Sequence, residues 1–202
     1  MAFPEAAELE ANFADIESEF DKLIRLGALK MHPETLAKEG DWRVFTLWSA
    51  GREHANNTAV TPKTAALWRR MNERFLRTRR MTFGLVYFSV LVPGAKLAGH
   101  FGSCNMRLRH HLGIHVPVGA SITLNRKELL WQRGKVISFD DSFGHEVANR
   151  ATTGRAVLIA DFWHPQLELR PEELQALVNH FEAIIPQRES KDLKGARDEV
   201  MF

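Results

Sequence analysis

GLVYFSVLVPG at 84–94, MRLRHHLGIHVPVGASITL at 106–124, KVISFDD at 135–141, HEVAN at 145–149 and RAVLIADFWHP at 155–165 decide the fold. Each run is short and rich in β-branched and aromatic residues, and Gly, Pro, Asn and Asp turns separate them. No space remains between them for crossover helices, so consecutive strands must pair antiparallel in a sandwich or barrel. The strand MRLRHHLGI sets Met106, Leu108, His110 and Leu112 on one face and Arg107, Arg109 and His111 on the other. If the second face points inward it must meet an anion, because an unpaired buried charge is too costly.

Outward from this core the pattern becomes helical. Phe13, Ile16, Phe20, Leu23 and Ile24 recur at helical spacing within 5–27, with Gly27 as a stop. WRVFTLW at 42–48 reads as a strand. Thr61-Pro62 opens a second helix to about Phe75, Thr61 being the expected N-cap. A last helix over about 171–184 would pack Leu174, Leu177, Val178 and Phe181, ahead of a polar tail from Gln187. The 202 residues therefore read as a single domain: a helical region over about 5–80, a β core over about 84–165, and a C-terminal helix with its tail over 166–202.

The formal net charge of +2 gives no general attraction to nucleic acid or an anionic membrane. The basic run Arg69, Arg70, Arg74, Arg77, Arg79 and Arg80 reads as a solvated helix face and the loop after it. With Cys104 as the only cysteine no intrachain disulfide can form. Cys104 also lacks the elbow motif or orienting partner of a nucleophile. The N-terminus lacks the basic and apolar regions of a signal peptide, and no apolar run has the length of a spanning helix. The expectation is a cytoplasmic protein without nucleic-acid or membrane partners.

The chemistry-bearing residues gather between Ser89 and Arg155. His100 and His145 each stand at the edge of a strand-like run, and two neutral imidazoles suit a divalent iron. Arg155 heads an otherwise apolar strand and could clamp a carboxylate bidentately, with Ser89 donating its hydroxyl to the same group. This points to a non-haem iron oxygenase that consumes 2-oxoglutarate. The usual carboxylate ligand two residues after the first histidine is absent, since Gly102 stands there. Water or a halide could take that position. Asp140 and Asp141 read either as an acidic pair or as a turn before the next strand.

GDWRVFTLW, TPKT, SVLVPG with HFG, RLRHHLG, FDDSFGHEVAN and RAVLIADFWHP, in this order and spacing, resemble the aspartyl/asparaginyl β-hydroxylase family of iron(II)- and 2-oxoglutarate-dependent dioxygenases from Asn12 to Pro165. The resemblance implies a mainly β fold with flanking helices, a double-stranded β-helix (jelly roll, cupin-like). It implies His100 and His145 as the catalytic iron ligands without a carboxylate. It implies a co-substrate pocket of Trp42, Ser89, Arg109, His111 and Arg155, with Arg107 facing the prime substrate. Fe(II), 2-oxoglutarate and O2 would be required, and the target would be the β-carbon of an aspartyl or asparaginyl unit in a peptide or small molecule. Departures occur at Ala37-Lys38, where the family has an arginine, and at Ser103-Cys104, which replace a proline-containing turn. Two rival readings use the same strands: an iron/2-oxoglutarate halogenase with chloride at the Gly102 position, and a non-catalytic cupin-like binding module.

Overall fold

A computed structural model describes residues 3–32, 36–50, 52–75 and 84–167, with Glu172, Glu173, Ala176 and Asn179 beyond them. Two helices lead, α1 (Pro4–Ala11) and α2 (Phe13–Arg25), followed by β1 (Lys30–Met31), β2 (Ala37–Glu39), β3 (Trp42–Ser49) and β4 (Arg52–Glu53). Helices α3 (Ala55–Val60) and α4 (Pro62–Phe75) come next. The remaining strands are β5 (Leu85–Leu91), β6 (Lys96–His100), β7 (Arg107–His115), β8 (Ala120–Leu124), β9 (Lys127–Leu129), β10 (Val136–Phe139), β11 (His145–Asn149) and β12 (Arg155–Trp163).

The strands form two antiparallel sheets. One runs β1-β3-β5-β12-β7-β10 with β4 against β3, and the other runs β2-β6-β11-β8-β9. Apart from the β3-β4 and β8-β9 hairpins, neighbours in each sheet are not consecutive in sequence, which is the connectivity of a jelly roll. The large sheet is buried on both faces, and the period of two divides its side chains. Phe88, Leu112, Ile114, Leu158 and Phe162 pack against Ile16, Phe20 and Leu23 of α2 and Leu67 and Met71 of α4. Trp42, Tyr87, Leu91, Val157 and Ile159 face the small sheet, where Leu97, Ile122 and Val147 meet them. The second face carries the polar residues singled out above: Ser89, Arg107, Arg109, His111 and Arg155 are all buried.

Two local expectations change. The single helix over 5–27 is two, broken at Asn12, whose side-chain amide donates to the Glu8 carbonyl at 2.9 Å. Thr61 does not cap α4. Its hydroxyl donates back to the Asn57 carbonyl. The buried Glu19 carboxylate of α2 accepts instead from the N–H groups of Lys63 (2.7 Å) and Thr64 (2.8 Å). A negative group there satisfies two free donors and complements the helix dipole. The run KLAGH forms β6 of the small sheet and ends on His100. The described positions beyond 167 are helical, while Leu174, Leu177, Val178, Phe181 and the tail from Gln187 lie outside the described residues. No described helix is long and apolar enough to cross a membrane.

Candidate metal and co-substrate site

His100 is the last residue of β6 and His145 the first of β11, and the two are direct partners across the sheet. Their ring centroids lie 4.2 Å apart. The Nδ1 of His100 is 2.7 Å from the Ala98 carbonyl, and the Nδ1 of His145 is 2.9 Å from the Phe143 carbonyl. A carbonyl oxygen can only accept, so each Nδ1 carries a proton, and in the neutral ring the lone pair is then on Nε2. Backbone tethers of this kind orient imidazoles for metal binding. Burial, with His100 beside it, lowers the His145 pKa and favours the neutral form a metal needs. Among the described residues no group of three or more His, Cys, Asp or Glu side chains is placed to hold a metal. Two facing imidazoles, both tethered through Nδ1, are a donor set that suits a divalent ion with open positions.

The glycine two residues after His100 has a steric basis. A Cβ on Gly102 would overlap the Asp141 carboxyl group. Asp141 is fully buried and is held by Arg107 (Nη2 to Oδ2, 2.8 Å) and Arg109 (Nη1 to Oδ2, 3.2 Å). Asp161 completes a quartet, accepting from Arg109 Nε at 2.7 Å and Nη2 at 2.9 Å, with Arg107 Nη1 at 3.3 Å. The anion demanded by the inward arginines is thus supplied by the chain itself. Burial pushes the Asp161 carboxyl up, but Arg109 and Arg107 outweigh it and hold its pKa below the usual value. Burial likewise works against the Arg109 charge, and Asp161 outweighs it and raises its pKa well above the ordinary value.

Arg155 is different. It is 2% exposed, yet no acidic side chain among the described residues pairs with it. Its Nη1 lies 3.4 Å from both the carbonyl and the hydroxyl oxygen of Ser89, while its Nε has no partner. Burial lowers its pKa to about 10. Trp42 donates its indole N–H to the same Ser89 hydroxyl at 3.0 Å, and His32 stacks on Trp42 at 3.6 Å. On its other side Arg155 lies over the Trp131 ring, 5.0 Å from the centroid, and His111 stacks against Trp131 at 6.0 Å. Both His111 nitrogens and the Trp131 Nε1 are buried without a partner. Burial and then Arg109 and Arg155 drive the His111 pKa well down, so its ring is neutral. Phe139 joins this group to the histidine pair, packing edge-on to His111 at 5.0 Å and to His145 at 5.5 Å. A desolvated guanidinium with unmet donors around it, linked through Phe139 to two tethered imidazoles, fits a small dicarboxylate held near a metal.

The residue pattern around this pair of histidines is that of one family. Residues 10–165 match the sequence model described as aspartyl/asparaginyl beta-hydroxylase. The chain belongs to this family. It is 41% identical over 145 residues to the aspartyl/asparaginyl beta-hydroxylase of Mus musculus, covering 71% of this chain and 19% of that protein. It is 30% identical over 180 residues to aspartate beta-hydroxylase domain-containing protein 2 of Xenopus tropicalis, covering 86% of this chain and 47% of that one. The chain thus spans about a fifth of the length of the first relative and about half that of the second. Among solved structures, a Pseudomonas putida prolyl-4-hydroxylase aligns over 76% of this chain and 88% of its own, with TM-score 0.46 and 15% identity.

The structure brings together every residue expected at the site: His100 and His145 on the small sheet, and Trp42, Ser89, Arg109, His111 and Arg155 on the facing one. Arg107 lies beside Arg109 in the ionic quartet. His110 falls on the opposite face, as the alternation required, between Phe3 and Phe162. Sequence reasoning read Asp141 only as part of an acidic pair or a turn, and missed Asp161, His32 and Trp131. An aspartate in the apolar strand RAVLIADFW was the available signal for Asp161, since a buried carboxylate needs a cation.

Proposed function

We propose that this protein is an iron(II)- and 2-oxoglutarate-dependent dioxygenase that hydroxylates the β-carbon of an aspartyl or asparaginyl unit in a peptide or small molecule. One observation carries the reading: two imidazoles tethered through Nδ1 connect, by way of Phe139, His111 and Trp131, to a buried arginine that has no carboxylate partner among the described residues. His100 and His145 hold the metal in this reading. Iron(II), when bound, supplies oxygen activation coupled to decarboxylation of 2-oxoglutarate. Arg155 and Ser89 hold the far carboxylate of the co-substrate, and Trp42 and His32 fix Ser89. Phe139, Trp131 and the apolar side chains between the sheets exclude water. Arg107 faces the prime substrate, and its tie to Asp141 orients it. Membership of a hydroxylase family supports the class of chemistry. Halogenation is less well supported, because a halide beside Gly102 would lie against the fixed Asp141 carboxylate.

Anaerobic titration with iron(II) and 2-oxoglutarate tests the reading, followed by oxygen and a panel of Asp- and Asn-containing peptides and amino acids. Succinate formation with a hydroxylated product, both lost in His100→Ala and His145→Ala, is the expected result. Metal binding without succinate under any condition would leave a binding module instead. A chlorinated product when chloride is present would make it a halogenase.

A further inference from the structure

We infer that the indole N–H of Trp131 is a ligand-binding donor of the co-substrate pocket, hydrogen-bonded to the carboxylate that Arg155 holds. The inference rests on the dioxygenase reading and adds a residue to it.

Trp131 is 5% exposed and its Nε1 has no hydrogen-bond partner. A buried indole N–H ordinarily finds an acceptor, and one left unmet marks a place where an acceptor is brought from outside. Here the orphan is one of a cluster. Trp131 lies under the Arg155 guanidinium, whose Nε is also unmet, and stacks on His111, whose nitrogens are unmet too. Ser89 adds a further donor. Its oxygen accepts from Trp42 Nε1 and lies 3.4 Å from Arg155 Nη1, so its own proton points elsewhere. Donors and one uncompensated positive charge therefore collect in one desolvated place. A carboxylate has two oxygens and about four acceptor sites and meets that demand, whereas a neutral ligand or a cation does not.

The contrast with Trp42 decides which indole does the work. Trp42 gives its N–H to Ser89, so it acts on the ligand through the serine hydroxyl. The Trp131 N–H is uncommitted. Its ring also supports Arg155 from below, which fixes the guanidinium before a ligand arrives. Trp131 thus has two separable roles. The ring face positions Arg155, and the N–H binds the ligand. Trp131→Phe keeps the first and removes the second.

The test uses zinc(II)-loaded protein with 15N-labelled tryptophan. The chain has five tryptophans and hence five indole N–H signals, assigned by single Trp→Phe changes. Addition of 2-oxoglutarate should move the Trp131 signal downfield, as a new hydrogen bond to a carboxylate requires. By calorimetry, Trp131→Phe should bind 2-oxoglutarate roughly ten- to a hundredfold more weakly, the usual loss for a hydrogen bond to a charged group. Its thermal midpoint should stay near that of the wild type. A Trp131 signal unmoved by a ligand that does bind, or equal affinity in the Phe variant, overturns the inference and leaves the dioxygenase reading standing. A wild type that binds no 2-oxoglutarate overturns both. If the Phe variant fails to fold, the other four variants assign the signals by elimination and the wild-type spectrum decides.

Discussion

The backbone N–H of Gly102 donates to the Asp141 carbonyl at 2.5 Å, and the Asp141 carboxyl fills the space into which a side chain at 102 would grow. The residue two after His100 is therefore glycine because a neighbouring loop has taken the volume a third ligand would need. Gly102→Asp would force a second carboxylate against a buried one already held by two arginines. We predict a loss of about 2–4 kcal/mol of stability, with no tighter metal binding. Gly102→Ala should shift in the same direction by less. Thermal unfolding of both, with and without zinc(II), checks this; a Gly102→Asp protein that melts like the wild type would show that the loop yields.

The sheet and its two faces were legible because a period of two is unambiguous in strands such as MRLRHHLGI and RAVLIADFW. The need for an anion opposite Arg107 and Arg109 was legible for the same reason. Its identity was not. Asp141 and Asp161 lie 34 and 52 positions from their arginines, and only the antiparallel register that sets Asp161 opposite Arg109 reveals the pairing. Trp131 follows a short polar strand and carries no periodic signal, so its place beneath Arg155 depends wholly on tertiary packing. The break at Asn12 was hidden because neither glycine nor proline marks it.

Arg155 trades stability for binding. A guanidinium whose pKa burial lowers to about 10 carries a desolvation penalty on the order of 3 kcal/mol. Arg155→Met should remove that penalty and leave the ligand-free protein as stable as the wild type or more so. The same change should weaken 2-oxoglutarate binding by roughly 2–4 kcal/mol, the scale of a lost bidentate charge-assisted contact. Urea unfolding with and without 2-oxoglutarate separates the two effects, since only the wild type should gain stability from the ligand. Equal ligand stabilisation in both proteins would reduce Arg155 to a buried structural charge.

Asp161 holds Arg109, Arg107 and the Leu85 N–H together. Asp161→Asn keeps the shape and leaves Arg109 short of its counter-charge, for a predicted loss of about 3–5 kcal/mol. The sign with pH follows from its depressed pKa. Its contribution is fully present above the unfolded value of about 3.9 and is lost as pH falls through the lower folded value. The variant should therefore lose less further stability than the wild type below about pH 4. Chemical unfolding at pH 7 and across the acid range measures both quantities; parallel acid limbs would contradict the assignment.

His110 makes the last case because it lies apart from the site, on the helix-facing side of β7. The residue is 1% exposed, its ring lies between Phe3 and Phe162, and neither nitrogen makes a well-formed hydrogen bond, the Arg109 backbone being only a weak contact. Burial lowers its pKa from 6.5 to about 4. The unfolded chain thus binds a proton in this interval that the folded protein refuses, and stability declines as pH falls from about 6.5 towards 4. Over that span the histidine accounts for a loss on the order of 3 kcal/mol. His110→Leu should remove this share of the acid sensitivity. At pH 7 it should be neutral or stabilising, because it replaces two unmet polar atoms with an apolar side chain against aromatic rings. His111, His145 and His32 have lowered pKa values as well, so the variant should flatten the pH–stability curve without abolishing its slope. Urea midpoints at pH 7.5, 6 and 5 for the two proteins provide the comparison. A gap between leucine variant and wild type that stays constant across those values would mean that His110 is protonated in the folded state or does not titrate there at all.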